Sequence, residues 1–178
     1  MNTVKVLLLG ILLMPLATSL GADRPTVFDE GRLQVDLPDG WKESEQNQGN
    51  SDSVGGWESS DRKTSFYVLQ LRLLNQGDDM RAALDRTIEN FDRDENWLVQ
   101  EIGNFRQITI NSLPATYVSV ELELRSGSRK VPFIFHFAMV GAEKSFFLLQ
   151  GSTMKPVWKT REDELIRMIK SFRVLKEE

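Results

Sequence analysis

The segment from residue 131 to residue 140 constrains the fold more than any other part of the sequence. It is apolar at nearly every position, so both of its alternating faces carry apolar side chains: Phe133, Phe135, Phe137 and Met139 on one, and Ile134, Ala138 and Val140 on the other. A strand of this kind is typical of the centre of a sheet that is covered on both sides. Residues 145–150 have the same character. The sequence therefore predicts a central pair of strands inside a layered fold.

Other segments predict strands that are buried on one face only. Strands with apolar residues on one face are predicted at 33–37, 65–73 and 116–124, and residues 98–102 and 105–110 predict one bent strand or two short ones. Short turns rich in Gly, Ser, Asn and Pro separate several of these segments, and such hairpin connections predict antiparallel pairing. Residues 42–56 are rich in Ser, Asn, Gln and Gly, which predicts a long flexible loop.

Two segments have the spacing of amphipathic helices. Residues 78–91 carry apolar residues at helical spacing behind Asp78 or Asp79 as the N-cap. Thr160 is predicted to cap a second helix, with Asp163 three residues later as in a capping box. The order of elements predicts an α+β domain, an antiparallel sheet of six to seven strands with helices packed on its faces.

The first 21 residues have the pattern of a secretory signal peptide. Lys5 precedes an almost continuous apolar run at 6–17, and small residues follow at 18–22. About a dozen apolar residues are fewer than the roughly 20 that a spanning helix needs, although an uncleaved anchor is the alternative. We therefore expect an exported protein, periplasmic or extracellular, with one domain at 22–178 and no membrane span in the mature chain.

Composition narrows the possible chemistry. The chain has no cysteine and one histidine, which argues against disulfides, thiolate nucleophiles and most transition-metal sites. The net charge is −4 and the basic residues form no cluster, so nucleic acid is not expected as a partner.

The remaining candidates for catalysis are weak. His136 lies in mid-strand without a G-x-S-x-G motif elsewhere, so a structural role is favoured over a catalytic one. Glu121 and Glu123 share one strand face, and an exposed face with Tyr117 and Arg125 is favoured over a glycosidase pair. No catalytic residue is predicted.

Residues 92–97 resemble the start of a calcium-binding loop. Asp92, Asp94 and Asn96 match the first three ligand positions of an EF-hand. Trp97 stands where the glycine of the sixth position should be, and Gly103 stands where the glutamate of the twelfth should be. Because the turn and the bidentate ligand are both missing, a solvated helix exit is favoured, and neither a metal nor another cofactor is predicted.

Tryptophan is the residue type most suggestive of recognition in this sequence. The chain has four tryptophans, and such residues occur both at core edges and in binding surfaces. Trp41 is predicted to lie in the core, and Trp158 is predicted to precede and staple the second helix. Trp57, at the end of the polar loop, is the one candidate for an interaction surface.

The order of several short motifs resembles a known fold group. The motifs are the turn 37–41 (Leu-Pro-Asp-Gly-Trp), Ile108-Thr109-Ile110 followed by Pro114-Ala115, and a final helix that ends Ile169-x-x-Phe172. Together with the export signal, this is similar to the PsbP-like group and, within it, to the exported DcrB-like proteins of bacteria. The resemblance implies an α/β/α sandwich and an accessory or binding role without catalysis. Ser112 departs from the glycine usual in its turn, and the lack of cysteine leaves no lipid anchor.

Three functions follow from these observations. The first is an exported, non-enzymatic binding or accessory protein that contacts another protein or complex of the cell envelope. The alternative is a carrier of a small apolar ligand held between the sheet and a helix. A hydrolase that uses carboxylates is the least favoured.

Overall fold

The computed structural model describes residues 23–45, 52–71, 79–143 and 145–176. The predicted signal peptide lies outside the described residues, as do Asp78 and Leu73. Within the described residues there are eleven strands and two α-helices: β1 (Arg24–Phe28), β2 (Leu33–Leu37), β3 (Lys42–Glu43), β4 (Ser53–Glu58), β5 (Thr64–Leu71), α1 (Met80–Arg93), β6 (Trp97–Ile102), β7 (Arg106–Ile110), β8 (Leu113–Ser126), β9 (Arg129–Gly141), β10 (Phe146–Met154), α2 (Trp158–Ser171) and β11 (Arg173–Val174).

Eight of the strands form one antiparallel sheet. Its order is β3-β4-β5-β10-β9-β8-β6, and β7 also pairs with β8 beside β6. A second sheet of three strands has the order β1-β2-β11. The α+β class and the antiparallel sheet are confirmed, and the main sheet has eight strands where six to seven were predicted.

The predicted loop at 42–56 is partly wrong. Its ends are the strands β3 and β4, and β4 pairs along β5 with a bulge between Ser53 and Gly55. Glycine and serine weaken the strand pattern of β4, so its pairing depends on the neighbouring β5 rather than on local preference.

Helix α1 covers one face of the main sheet. Its buried residues are Ala83, Leu84 and Ile88. They pack against one face of β8, β9 and β10, whose buried members are Val118, Val120, Leu122, Phe135, Phe137, Met139 and Leu148.

Helix α2 and the three-stranded sheet cover the opposite face. Leu165, Met168 and Ile169 of α2 share one core with the buried side of β2 and with residues of β5, β9 and β10, namely Phe66, Val68, Ala138, Val140, Phe147 and Leu149. The central strands are therefore covered on both sides, as the doubly apolar sequence predicted.

The two helices begin in different ways. Asp79 caps α1, because its carboxylate accepts a hydrogen bond from the backbone N–H of Arg81. The predicted cap at Thr160 is wrong: α2 begins at Trp158, directly after a 3₁₀ turn at Lys155–Val157. The Thr160 hydroxyl donates instead to the Val157 carbonyl at 2.7 Å. Proline within that turn fixes the backbone for helix initiation earlier than the capping-box pattern indicated.

Among the described residues, no helix has both the length and the apolar character that a membrane span requires.

Candidate functional site

Two adjoining cavities lie between α2 and strands β7 to β9, and together we call them the α2 groove. The first, the helix cavity, has a volume of about 220 Å³ and is lined by Arg106, Ile108, Tyr117, Ile166, Ile169 and Lys170. The second, the histidine cavity, has a volume of about 210 Å³, and its wall includes Glu101, Ser119, Glu121, His136, Trp158 and Glu162. Arg106 and Tyr117 line both cavities, so they form the boundary between the two.

The strand register explains why these residues meet. Arg106 of β7 pairs with Tyr117 of β8, and Ser119 of β8 pairs with His136 of β9. Side chains two residues apart on a strand point to the same face. Tyr117, Ser119 and His136 therefore share the face that α2 covers, and the diagonal neighbours Tyr117 and His136 come within hydrogen-bonding distance.

The His136 side chain is fully buried and contacts two aromatic side chains. Its Nδ1 atom shares a hydrogen bond with the Tyr117 hydroxyl. The Trp158 indole stacks on the imidazole, with ring centroids 5.0 Å apart and an angle of 22° between planes. His136 thus lies on the face of β9 opposite to its phenylalanine neighbours.

The imidazole is neutral at neutral pH. Burial, with a further contribution from the positive charge of Arg106, lowers the pKa of His136 from 6.5 to about 4. The other ring nitrogen, Nε2, is buried without a hydrogen-bond partner among the described residues. Such a group is costly to leave unpaired, on the order of 1–3 kcal/mol.

Arg106 and Tyr117 form a second polar unit at the centre of the groove. The Arg106 guanidinium lies over the Tyr117 ring, 4.9 Å from its centroid. Burial raises the pKa of Tyr117. The positive charge of Arg106 partly opposes this increase in pKa, and the negative charge of Glu162 adds to it. The tyrosine is therefore a neutral hydroxyl that can donate or accept a hydrogen bond.

Carboxylates line the outer part of the histidine cavity. Glu101 of β6 lies opposite Glu121 of β8 in the strand register. Lys155 Nζ lies 2.5 Å from Glu121 Oε1. Neither Glu101 nor Glu162 has an ion-pair partner within the described part of the chain. Glu101 is exposed, and Glu121 is half-buried and paired with Lys155.

The exposed face predicted for residues 117–125 is corrected by the structure. Tyr117 is buried, with 6% of its surface exposed, because α2 and β7 cover it. Glu121 and Glu123 are half-buried and paired with cations: Lys155 for Glu121, and Arg125 with Lys130 for Glu123.

Trp57 lies in the core rather than on an open surface. It is 5% exposed. Its ring meets Phe28 edge-on, with centroids 4.9 Å apart, and lies near-parallel to Phe66 at 6.3 Å. A partner could reach little of this side chain as it stands, and an interaction role for Trp57 stays a prediction. Trp41 is buried as predicted, and its indole N–H donates to Glu164 at 3.3 Å.

The acidic segment after α1 is engaged locally. The Asp94 carboxylate accepts hydrogen bonds from the backbone and side-chain N–H groups of Asn96, each at 2.9 Å. Across the residues that the structure describes, no cluster of three or more His, Cys, Asp or Glu side chains is arranged to hold a metal ion.

No sequence pattern indicates the groove. Its central residues, Arg106 and Tyr117, lie on separate strands, and Glu162 lies on a helix that follows some 45 residues later in the chain. The one local signal is the single histidine, for which a structural role is predicted.

The fold has close counterparts among solved structures. Cyanobacterial PsbP (CyanoP) from Synechocystis sp. PCC 6803 superposes with a TM-score of 0.62 at 12% identity, over 93% of this chain and 99% of its own. LpqN, involved in cell envelope biogenesis of Mycobacterium tuberculosis, gives a TM-score of 0.55 at 11% identity, over 84% of this chain and 88% of its own. The Ran-binding protein Mog1p of Saccharomyces cerevisiae gives 0.54 at 11% identity, over 86% and 96%.

No family model matches the chain, and no curated protein matches its sequence. The likeness to solved structures confirms that the fold is PsbP-like, as the sequence motifs indicated. Assignment to the DcrB-like proteins within that group stays a prediction.

Proposed function

We propose that this protein is an exported, non-enzymatic binding protein that holds a protein partner of the cell envelope in the α2 groove. The observation that carries the proposal is the pair of adjoining cavities that share Arg106 and Tyr117.

The size of the cavities favours a protein partner. Pockets for small molecules and cofactors usually have volumes of about 300–1,000 Å³. The helix cavity and the histidine cavity are both smaller, at about 220 and 210 Å³. Two small adjoining hollows suit the anchor side chains of a protein partner, which typically fill separate pockets near the centre of an interface.

The residues of the groove are those that interfaces favour. Arginine, tyrosine and tryptophan contribute most to binding energy at protein interfaces, and Arg106, Tyr117 and Trp158 line this groove. Stacking on Tyr117 already restricts the exposed Arg106 side chain. The loss of conformational entropy of the Arg106 side chain on binding a partner would therefore be smaller.

The similar folds support a binding role as well. Mog1p is named as a Ran-binding protein and LpqN as a protein involved in cell envelope biogenesis. At 11–12% identity these proteins share the fold alone, so the proposal depends on the groove and not on their partners.

The test is cross-linked capture from the envelope of the native organism, with Arg106→Ala and a matched control, Arg129→Ala. Both arginines are exposed, but Arg129 lies at the β8–β9 hairpin, outside the groove. We expect one reproducible protein that Arg106→Ala loses and Arg129→Ala retains. Equal capture by both variants, or no reproducible protein, would overturn the proposal.

Export is proposed from residues 1–21 and is tested separately. We expect the full chain to appear outside the cytoplasm with a mass that corresponds to a start near residue 22, and a chain that begins at residue 22 to stay inside. A cytoplasmic full chain of unchanged mass would contradict export.

The lining of the helix cavity, but not its volume, favours the carrier alternative. Ile108, Ile166 and Ile169 give it a mainly apolar wall between sheet and helix, whereas its volume of about 220 Å³ would admit only a very small apolar molecule. Native mass spectrometry of protein purified from its own envelope would show a bound small apolar molecule, and Ile166→Trp would displace it by filling the cavity. Protein without such a mass would exclude the carrier.

A further inference from the structure

We propose that the histidine cavity binds a guanidinium group, supplied by an arginine side chain of the partner protein. This inference rests on the proposed function, because it names the chemistry by which the partner is recognised in one half of the α2 groove.

The charges around the cavity favour a cation. Glu121 is neutralised by Lys155 at 2.5 Å. Of the remaining charged groups on the wall, Glu101 and Glu162 are negative and Arg106 is positive, which leaves one net negative charge. An incoming cation would balance it, whereas a carboxylate or phosphate would meet two carboxylates that have no ion-pair partner in the described chain.

The aromatic wall favours a planar cation. The Trp158 indole borders the cavity, is only half-buried, and stacks with one face on His136. Guanidinium groups stack flat on aromatic faces and pair with carboxylates in a planar fork. A lysine ammonium can also lie over an aromatic face, but as a compact point charge it forms no such fork. The placement of Arg106 over Tyr117 shows the same contact within this groove.

The unpaired nitrogen of His136 supplies an independent indication of a ligand. His136 is fully buried and borders the cavity, yet its Nε2 atom has no hydrogen-bond partner among the described residues. The ring is neutral, and in the tautomer whose Nδ1–H donates to the Tyr117 oxygen, Nε2 is the nitrogen that accepts a hydrogen bond. A guanidinium N–H is a suitable donor once the neighbouring Trp158 indole shifts to admit it.

The single histidine makes the test direct. In ¹⁵N-histidine-labelled protein, both ring signals belong to His136. At neutral pH, N-acetyl-arginine amide should shift the Nε2 signal in a saturable way. The citrulline analogue, which has the same shape without the charge, should leave the signal unchanged. Agmatine, a small-molecule guanidinium that also carries an ammonium group, and a capped Gly-Arg-Gly peptide are tested in the same way.

Matched variants locate the binding site. Glu162→Gln should weaken binding of the arginine amide by at least about threefold, the range of a partly exposed ion pair. Asp163→Asn, one residue away and exposed outside the cavity wall, should leave binding unchanged. Trp158→Leu should abolish the change in tryptophan fluorescence that accompanies binding.

The outcomes separate the two proposals. The guanidinium proposal would be overturned if the Nε2 signal did not shift with the arginine amide, or if it shifted equally with the citrulline analogue. The proposed function would still stand if Arg106→Ala lost the partner and Arg129→Ala kept it. Tighter binding of the peptide than of agmatine would support a partner's arginine, and the reverse order would overturn that source.

Discussion

The buried, neutral His136 should make the stability of this protein depend on pH in a defined window. The pKa of this side chain is about 4 in the folded protein and 6.5 for the unperturbed group. Between these values the unfolded chain binds a proton that the folded protein does not, so stability is complete above pH 6.5 and falls as the pH is lowered towards 4.

The magnitude follows from the two pKa values. Their difference corresponds to a loss of about 3 kcal/mol once the pH is below 4. Between pH 7 and pH 5 the expected loss is about 2 kcal/mol. Asp61 does not interfere, because its hydrogen bond from Ser59 lowers its pKa below 3.8, so its contribution to stability is lost only at lower pH.

The assay is urea unfolding of the wild type and of His136→Asn at pH 7 and pH 5. Asparagine keeps a polar atom near Tyr117 but does not titrate. The free energy of unfolding should fall by about 2 kcal/mol more in the wild type than in the variant.

A second measurement covers the case in which His136→Asn fails to fold. The chain has one histidine, so NMR of the wild-type protein reports its pKa without ambiguity. Parallel pH dependence of wild type and variant, or a measured pKa near 6.5, would refute the reasoning from burial.

Two further predictions concern packing and capping. A methyl group added at Gly55 would lie 2.6 Å from the buried Trp57 ring, so Gly55→Ala should destabilise by about 1–3 kcal/mol. Gly141→Ala, whose nearest contact would be 3.5 Å, should change the urea midpoint little, and equal effects would count against the packing argument. Asp79→Ala should cost about 1 kcal/mol by removing the cap of α1. Thr160→Ala should lower the stability less than Asp79→Ala, because the Thr160 hydroxyl caps no N–H group. A larger decrease in thermal stability for Thr160→Ala than for Asp79→Ala would contradict this assignment.

The capping result shows where local patterns succeed and where they mislead. Asp78 and Asp79 both precede the amphipathic run, so the beginning of α1 could be predicted to within one residue, and the structure shows Asp79 as the cap. Thr160 and Asp163 match a capping box, but Pro156 had already turned the chain and helix α2 begins two residues earlier. A capping motif is informative only if no preceding residue initiates the helix first.

The two glycines after residue 54 show a different limit. In the sequence they favour a loop, and Trp57 after them resembles a recognition residue at a loop end. In the structure Gly55 leaves the space that the rings of Trp57 and Phe28 occupy, so the lack of a side chain serves packing. The need for glycine at position 55 arises from Phe28 of β1, some 27 residues earlier in the chain, and no local sequence pattern indicates that contact.

Elements with local or periodic causes can be predicted from the sequence. The doubly apolar segments at 131–140 and 145–150 required cover on both faces, and the helix stripes and hairpin turns defined the α+β class. The α2 groove, in contrast, forms only when distant segments pack together. Register across three strands places Arg106, Tyr117 and His136 on one face, and α2 then adds Trp158 and Glu162. Contacts between distant segments depend on how the layers dock, and the spacing of residues along the chain does not record that geometry.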